Sequence, residues 1–400
     1  MISIFQLYKM YPKKVWILTL ICFIFIARKT IFNVSRQVGE YSTTIDSSTS
    51  LAIIGIFCSA LYFLSHFKAF QNSSKKMWSI LIYYLFAWSS ILWAGNHVTI
   101  SFKALENICN ILLVGAIVYN IKDSKKQIFF IILFATASTY MDLLGYYIRT
   151  GFGWYHTNVY TITAFIGMLL SIGCIKNRLF TFRELVLPLV LCTYAWVTGT
   201  STASYISAII GGIILYSSSN KGINLTRTFL VCIFIYLIWT FAEEQIIKFI
   251  IADHSIENIK SGTGRDRIWL AAFKLWDNAP WLGNGYIIGE SNMGNINQQS
   301  AHNSFISTLV NTGFIGFLIF CGFIYKWCKE SFKTSFYNIY ASITFPVIIA
   351  ICININSCPV LASHWSFSTD SVLLIIAATF ITFRNKDKGD SRTLKQLSKN

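Results

Sequence analysis

Apolar runs of about 18 to 24 residues recur along the whole chain, divided by short polar stretches. A helix of that length spans the hydrocarbon core of a bilayer, and such runs have no comparable use in a soluble domain. Twelve are legible, at roughly 15–34, 50–66, 77–95, 98–120, 127–148, 159–175, 182–199, 203–218, 227–250, 303–325, 335–357 and 369–383. Arg28 and Lys29 interrupt the first, Lys103 and Glu106 lie in the fourth, and Glu243, Glu244 and Lys248 fall near the end of the ninth. Hydrophobic residues make up 54% of the 400 and charged residues 12%, about half the share usual in soluble proteins. The expected fold class is therefore an all-α polytopic membrane protein of about 12 transmembrane helices, with residues 1–400 as one integral membrane domain. No cleaved leader is required, because the first run can serve as an uncleaved anchor.

The formal charge of +16 is distributed in a way that tests this segmentation. With the N-terminus in the cytoplasm, the basic residues collect on the cytoplasmic side, as the positive-inside rule expects. They lie at Lys9 to Lys14, Lys68 to Lys76, Lys122 to Lys126, Lys176 to Arg183, Lys221 to Arg227, Lys326 to Lys333, and in the basic tail 384–400. The opposite side receives only Arg28, Lys29, Arg36, Arg149, Lys260, Arg265, Arg267 and Lys274. Removing or adding one helix would destroy the alternation. Both termini are expected in the cytoplasm, and the charge calls for no nucleic acid. Most of the ten cysteines sit inside apolar runs, where they act as small hydrophobes, and none has metal-ligand spacing. Neither a disulfide framework nor a metal site is expected.

One connection is long. Residues 251–302 join the ninth and tenth runs on the side away from the cytoplasm. Trp269, Leu270, Phe273, Leu275, Trp276 and Trp281 make it too apolar for a solvated linker. Its centre reads SGTGRDRIWLAAFKLWDNAPWLGNGY, residues 261–286. Ser261 to Thr263 suit a turn and cap, and Arg265 to Trp276 carry apolar residues close to a helical stripe. Asn278 and Pro280 end that helix, and LGNGY supplies a glycine turn. A short amphipathic helix at the outer interface is expected, with Arg265 and Arg267 in its first turn. Cations there oppose the helix dipole, at a cost of a few tenths to about 1 kcal/mol. The same placement suits a bound phosphate or diphosphate. Pairing with Asp266, Asp277 or lipid headgroups is the structural alternative.

The stretch SAHNSFISTLVNTG, residues 300–313, opens the tenth run. His302 can cap or pack, or it can take a hydroxyl proton near neutral pH. Asn303 and Ser304 are ordinary capping residues, and Gly313 and Gly316 suit close helix packing. Elsewhere on the outer side, Arg149, Trp154, Tyr155 and His156 lie between the fifth and sixth runs. Trp and Tyr there fit an aromatic belt, and aromatics beside an arginine also form sugar-binding surfaces. His364 reads as structural. Asp142 is a costly residue at its depth. Charged residues within the runs do not line up as a path through the bilayer, which argues against an ion-coupled transporter.

The succession TGRDRIW, then P-x-x-G-x-G at Pro280, Gly283 and Gly285, then AHNSFISTLVNTGFIG resembles the O-antigen ligase and polymerase superfamily of bacterial polysaccharide proteins. The likeness covers about residues 261–320, with the helix count and the long outer loop in agreement. It implies a metal-independent, cofactor-free, inverting glycosyl transfer at the periplasmic face of the bacterial inner membrane. The implied donor is a glycan on undecaprenyl diphosphate. The acceptor is the terminal sugar of another lipid-linked unit in a polymerase, or lipid A–core in a ligase. By resemblance Arg265 and His302 are catalytic, the one on the diphosphate and the other on the attacking hydroxyl. Arg267, Asn303, Arg149, Gly283 and Gly285 complete the implied substrate-binding set. The bilayer, undecaprenyl-diphosphate-linked oligosaccharides, a flippase and a chain-length regulator are the implied partners. Family members often carry a second arginine at the outer end of a middle helix. The stretch here, VTGTSTASYIS at 197–207, has Ser201 and Thr202 and no arginine, leaving Arg149 or Arg267 as substitutes. A polymerase is the leading expectation, a ligase the first alternative, and a flippase or transporter without chemistry the second.

Overall fold

A computed structural model describes residues 9–31, 47–149, 158–199, 201–219, 222–223, 265–291, 301–358, 360–361 and 367–383. Their helices are α1 (Lys13–Ile31), α2 (Ser47–Ser65), α3 (Phe67–Lys76), α4 (Trp78–Ser89, prolonged by a 3₁₀ turn Ser90–Leu92), α5 (His97–Asn120), α6 (Ser124–Arg149) and α7 (Asn158–Lys176). Then follow α8 (Phe182–Thr198), α9 (Thr202–Ser217), α10 (Arg265–Asp277), α11 (Ile288–Ser291), α12 (Ser304–Ser335), α13 (Ile339–Asn354) and α14 (Phe367–Ala378, ending in a π turn Thr379–Phe383). The one sheet among these residues is a two-residue antiparallel ladder in which Ser218 faces Ile223. Every apolar run except the ninth, 227–250, falls on a helix. That run, the 251–264 stretch, Trp154 to His156, His364 and the tail 384–400 lie outside the described residues.

Among the described residues, three helical stretches are long and apolar enough to cross a membrane: His97–Asn120, Ser124–Leu144 and Ser304–Ser335. Thr49–Ser65 and Phe67–Lys76, bent by 103° at their junction, make a fourth if taken as one span. Trp78–Leu92, Tyr160–Lys176, Thr202–Ser217, Ile339–Asn354 and Thr369–Phe383 are apolar but shorter. Local signals set several starts. Asn96, Asn303 and Asn338 cap α5, α12 and α13 through side-chain oxygens that accept backbone N–H groups. Thr181 and Glu184 form a reciprocal capping box on α8.

The described helices pack around one large apolar core and two smaller ones. α7 lies between α6 and α8, α13 contacts α9 and α12, and α14 packs on α5 and α6. Phe57, Leu61, Leu64, Leu187 and Tyr194 are exposed on the outside, an apolar exterior that suits lipid rather than water. Within the bundle the two charges of the fourth run answer each other: Lys103 Nζ lies 3.1 Å from the buried Glu106 carboxylate one helical turn away. Asn107 of the same helix donates to the hydroxyl of the buried Tyr286.

The tenth run departs from a simple span. α12 is broken at Gly313, whose φ of 66° lies in the left-handed region. The loop between α10 and α11 fills the break. Phe314 N–H donates to Pro280 O at 2.8 Å and Ile315 N–H to Trp281 O at 3.2 Å. In return Asn284 N–H donates to Val310 O at 2.9 Å and Gly285 N–H to Asn311 O at 3.0 Å. Backbone groups freed in a buried place must find protein partners, and here the P-x-x-G-x-G stretch supplies them. A Cβ on Gly283 would run into the backbone of Gly313, and one on Gly313 into Trp281. The expected close-packing role of Gly313 is thus joined by a second one, breaking the helix.

Candidate active site

The first turn of α10 holds Arg265 and Arg267. Arg267 is exposed, whereas Arg265 is half-buried. Burial pulls the pKa of the Arg265 guanidinium below its ordinary range, and the nearby Cys358 sulfur acts in the opposite direction. No carboxylate among the described residues pairs with either arginine; the side chain of Asp266 lies outside them. A guanidinium cannot shed its proton, so a partly desolvated one at a helix N-terminus is set up to receive an anion.

The apolar stripe of α10 docks the helix on α12. Ile268 and Ala272 are buried against Ala301 and Val310, with Trp269, Leu275 and Trp276 packed around them. Leu270, Phe273, Trp281 and Leu282 stay exposed, giving the helix and its following loop an outward apolar face. Trp269 Nε1 donates to Ala301 O at 3.0 Å, which ties α10 to the residue before His302.

His302 has φ of 49°, a left-handed conformation uncommon in a residue with a Cβ. Its neighbours are anchored on both sides. Asn303 Oδ1 accepts from Phe305 N at 2.9 Å and from Ile306 N at 3.2 Å, so the expected cap is present. Ser304, expected to share that capping, is instead bonded across to another helix end. Its N–H donates to Ile355 O at 2.9 Å and its Oγ to Cys358 O at 3.2 Å. Cys358 thus borders the His302 turn, and its thiol and the Arg265 guanidinium influence each other electrostatically. Burial pushes its thiol up to about 12, with Arg265 opposing, so it stays protonated at neutral pH.

Gly283 and Gly285, both with positive φ, hold the loop on the broken helix; a Cβ on Gly285 would strike Ala94. Their direct structural duty is packing. Arg149 ends α6, but its side chain lies outside the described residues. Asp142 is buried in the same helix. In the stretch without the second arginine, Ser201 caps α9 and its Oγ donates to Ser204 Oγ at 3.0 Å. Ser204 Oγ also lies 2.8 Å from Thr161 Oγ1 and accepts from Asn354 Nδ2 at 3.2 Å. Hydroxyls occupy that corner and tie α7, α9 and α13 together.

Sequence reasoning passed over Glu290. It is 1% exposed, and its Oε1 accepts from Ala301 N at 2.9 Å and from Ser307 Oγ. The available signal was that it is the sole carboxylate between Asp277 and Glu330.

Most of these residues fall within a stretch that matches a known family. No curated protein matches the chain significantly. Residues 187–321, about a third of the chain, match the family model described as O-antigen ligase (Wzy_C), and this interval contains Arg265, Gly283, Gly285, Glu290, His302 and Asn303 but not Arg149. That segment is similar to the O-antigen ligase family, which supports the resemblance to the O-antigen ligase/polymerase superfamily.

Proposed function

We propose that the protein is a polymerase of lipid-linked oligosaccharide repeat units, such as those of O-antigen or another surface polysaccharide. The observation carrying the reading is the half-buried Arg265, unpaired with any described carboxylate. It shares a corner of the bundle with the anchored, left-handed His302 turn. In the proposed transfer a sugar hydroxyl of one lipid-linked unit attacks the anomeric carbon of a glycan on undecaprenyl diphosphate. The new carbon–oxygen bond forms as the bond to the diphosphate breaks, inverting that carbon. The His302 imidazole takes the hydroxyl proton, and the departing diphosphate carries its negative charge to Arg265. Arg267 and Arg149 are proposed as further contacts of the diphosphate or glycan. Asn303 shapes the turn, and Gly283 and Gly285 hold the loop from which the substrate is met. Guanidinium groups supply the positive charge, so the reading assigns no metal or cofactor.

The proposed setting is the bacterial inner membrane, crossed twelve times, with both termini in the cytoplasm and residues 251–302 in the periplasm. The alternation of basic connections supports it. A flippase and a chain-length regulator are proposed as pathway partners.

A ligase reading is favoured by one observation, the description of the matching family model. Deleting the gene separates the two. A polymerase deletion leaves lipid A–core capped with one repeat unit, whereas a ligase deletion leaves full polymer on the lipid carrier and core uncapped. Uncapped core with polymer on the carrier would overturn the polymerase reading in favour of the ligase.

A further inference from the structure

We infer that Glu290 is a positioning residue for His302, acting as a buried strut that sets the turn from which the imidazole is presented. The inference rests on the proposed role of His302. The His302 backbone occupies the left-handed region, uncommon for a residue with a Cβ, and such conformations cluster at functional sites. Glu290 brackets this turn. The same Oε1 accepts from Ala301 N, one residue before His302, and from Ser307 Oγ, in the first turns of the helix after it. The carboxylate thus fixes the entry and the exit of the segment together.

Glu290 is itself fixed by Asn311. Its backbone N–H donates to Asn311 Oδ1 at 3.0 Å, and Asn311 Nδ2 faces Glu290 Oε2 at 3.4 Å. This reciprocal pairing makes the acid specific. Asn311 Oδ1 is committed to the Glu290 N–H, so its amide nitrogen must meet an acceptor at Oε2. A glutamine at 290 keeps the acceptor for Ala301 and Ser307 but turns a second NH₂ group toward Asn311. Moving the charge across the pair, with Gln at 290 and Asp at 311, restores a donor opposite an acceptor at each of these contacts. Asn311 also accepts the Gly285 N–H through its carbonyl, so the strut stands on the broken part of α12 where the backbone is held from both sides. The strut carries the order of that break to the His302 turn.

The test uses the full chain, purified and assayed per amount of monodisperse protein, with lipid-linked glycans extracted from the deletion strain as substrate. Glu290→Gln should lower kcat about tenfold with KM within about twofold, a misplaced group rather than a lost binding contact. The double variant Glu290→Gln with Asn311→Asp should return kcat to within about threefold of the unaltered protein. Ser307→Ala removes one donor to the strut with little volume, and should lower kcat several-fold at constant KM even where Glu290→Gln yields no folded protein. Unchanged kcat in Glu290→Gln or Ser307→Ala, or a double variant no better than the single one, overturns the inference. His302→Ala, run alongside, tests the underlying reading separately. Full activity there removes the role of His302, whereas an inactive His302→Ala beside a fully active Glu290→Gln removes only the strut.

Discussion

Arg265 and Cys358 occupy a corner where charge is poorly solvated, and the two respond to it differently. The arginine must stay charged, so its fork is available to an anion that can take two parallel hydrogen bonds. Arg265→Lys keeps the charge but loses the fork, and polymerisation from extracted lipid-linked units is expected to fall about tenfold or more. The thiol instead stays neutral. Its ionisation is pushed up to about 12 by burial, well above the ordinary cysteine value of about 8.5. The folded protein therefore retains a proton that the unfolded chain releases. This contribution to stability is fully present below the ordinary thiol range and is lost as pH rises through it toward the folded value. Cys358 should accordingly resist iodoacetamide at mildly alkaline pH in folded protein and react on denaturation, as mass spectrometry of the labelled peptide would show. Rapid labelling of the native protein would contradict the half-buried placement of the thiol.

At the scale of elements, the interlock between α12 and the loop before α11 does most to shape the site. Gly283 at φ 73° would direct a Cβ into the backbone of Gly313, which cannot step aside as a side chain can. Gly283→Ala should destabilise the protein by about 2–4 kcal/mol, read as a drop in thermal stability in detergent. Gly322→Ala, on the same helix with nothing within 4 Å of the added methyl, should be neutral or stabilise by up to about 1 kcal/mol. Equal effects at the two positions would contradict the interlock. The glycine turn and the Asn303 cap were legible because both depend on residues within a few positions of one another. The break in α12 was not, because the groups satisfying it come from Pro280 to Gly285, some thirty residues upstream. The apolar run also stopped near Tyr325, whereas the helix continues to Ser335 through Lys326, Lys329 and Lys333. Helical geometry tolerates charges beyond the apolar part, and hydropathy alone ends at the first of them. The short amphipathic helix Phe67–Lys76 was hidden likewise, having too few apolar residues to register as a run.

For the whole molecule, the proposed topology places α10 and the His302 turn on one side of the membrane and the basic end of α12 on the other. Alkaline phosphatase fused after Asp277 should be active and fused after Ser335 inactive; the reverse pattern would contradict the orientation. Composition and run length were enough to read a helical membrane bundle, since bilayer thickness imposes them on every span. The arginine–histidine corner was legible as motifs but not as a meeting of three helix ends. The turn at Ile355 to Cys358 that receives Ser304 carries no sequence mark of its own. Glu290 escaped notice for the same reason, since its partners include the Ala301 N–H, the Ser307 hydroxyl and Asn311, all distant from it in sequence. Arg265 and His302 are proposed to act together on the lipid-linked glycan. The most direct measurement is the surface-polysaccharide ladder of a deletion strain complemented with Arg265→Ala or His302→Ala, with membrane levels of each variant matched to the unaltered protein. Single repeat units on lipid A–core, without long chains, are expected for both; full-length polymer from both variants would contradict the claim.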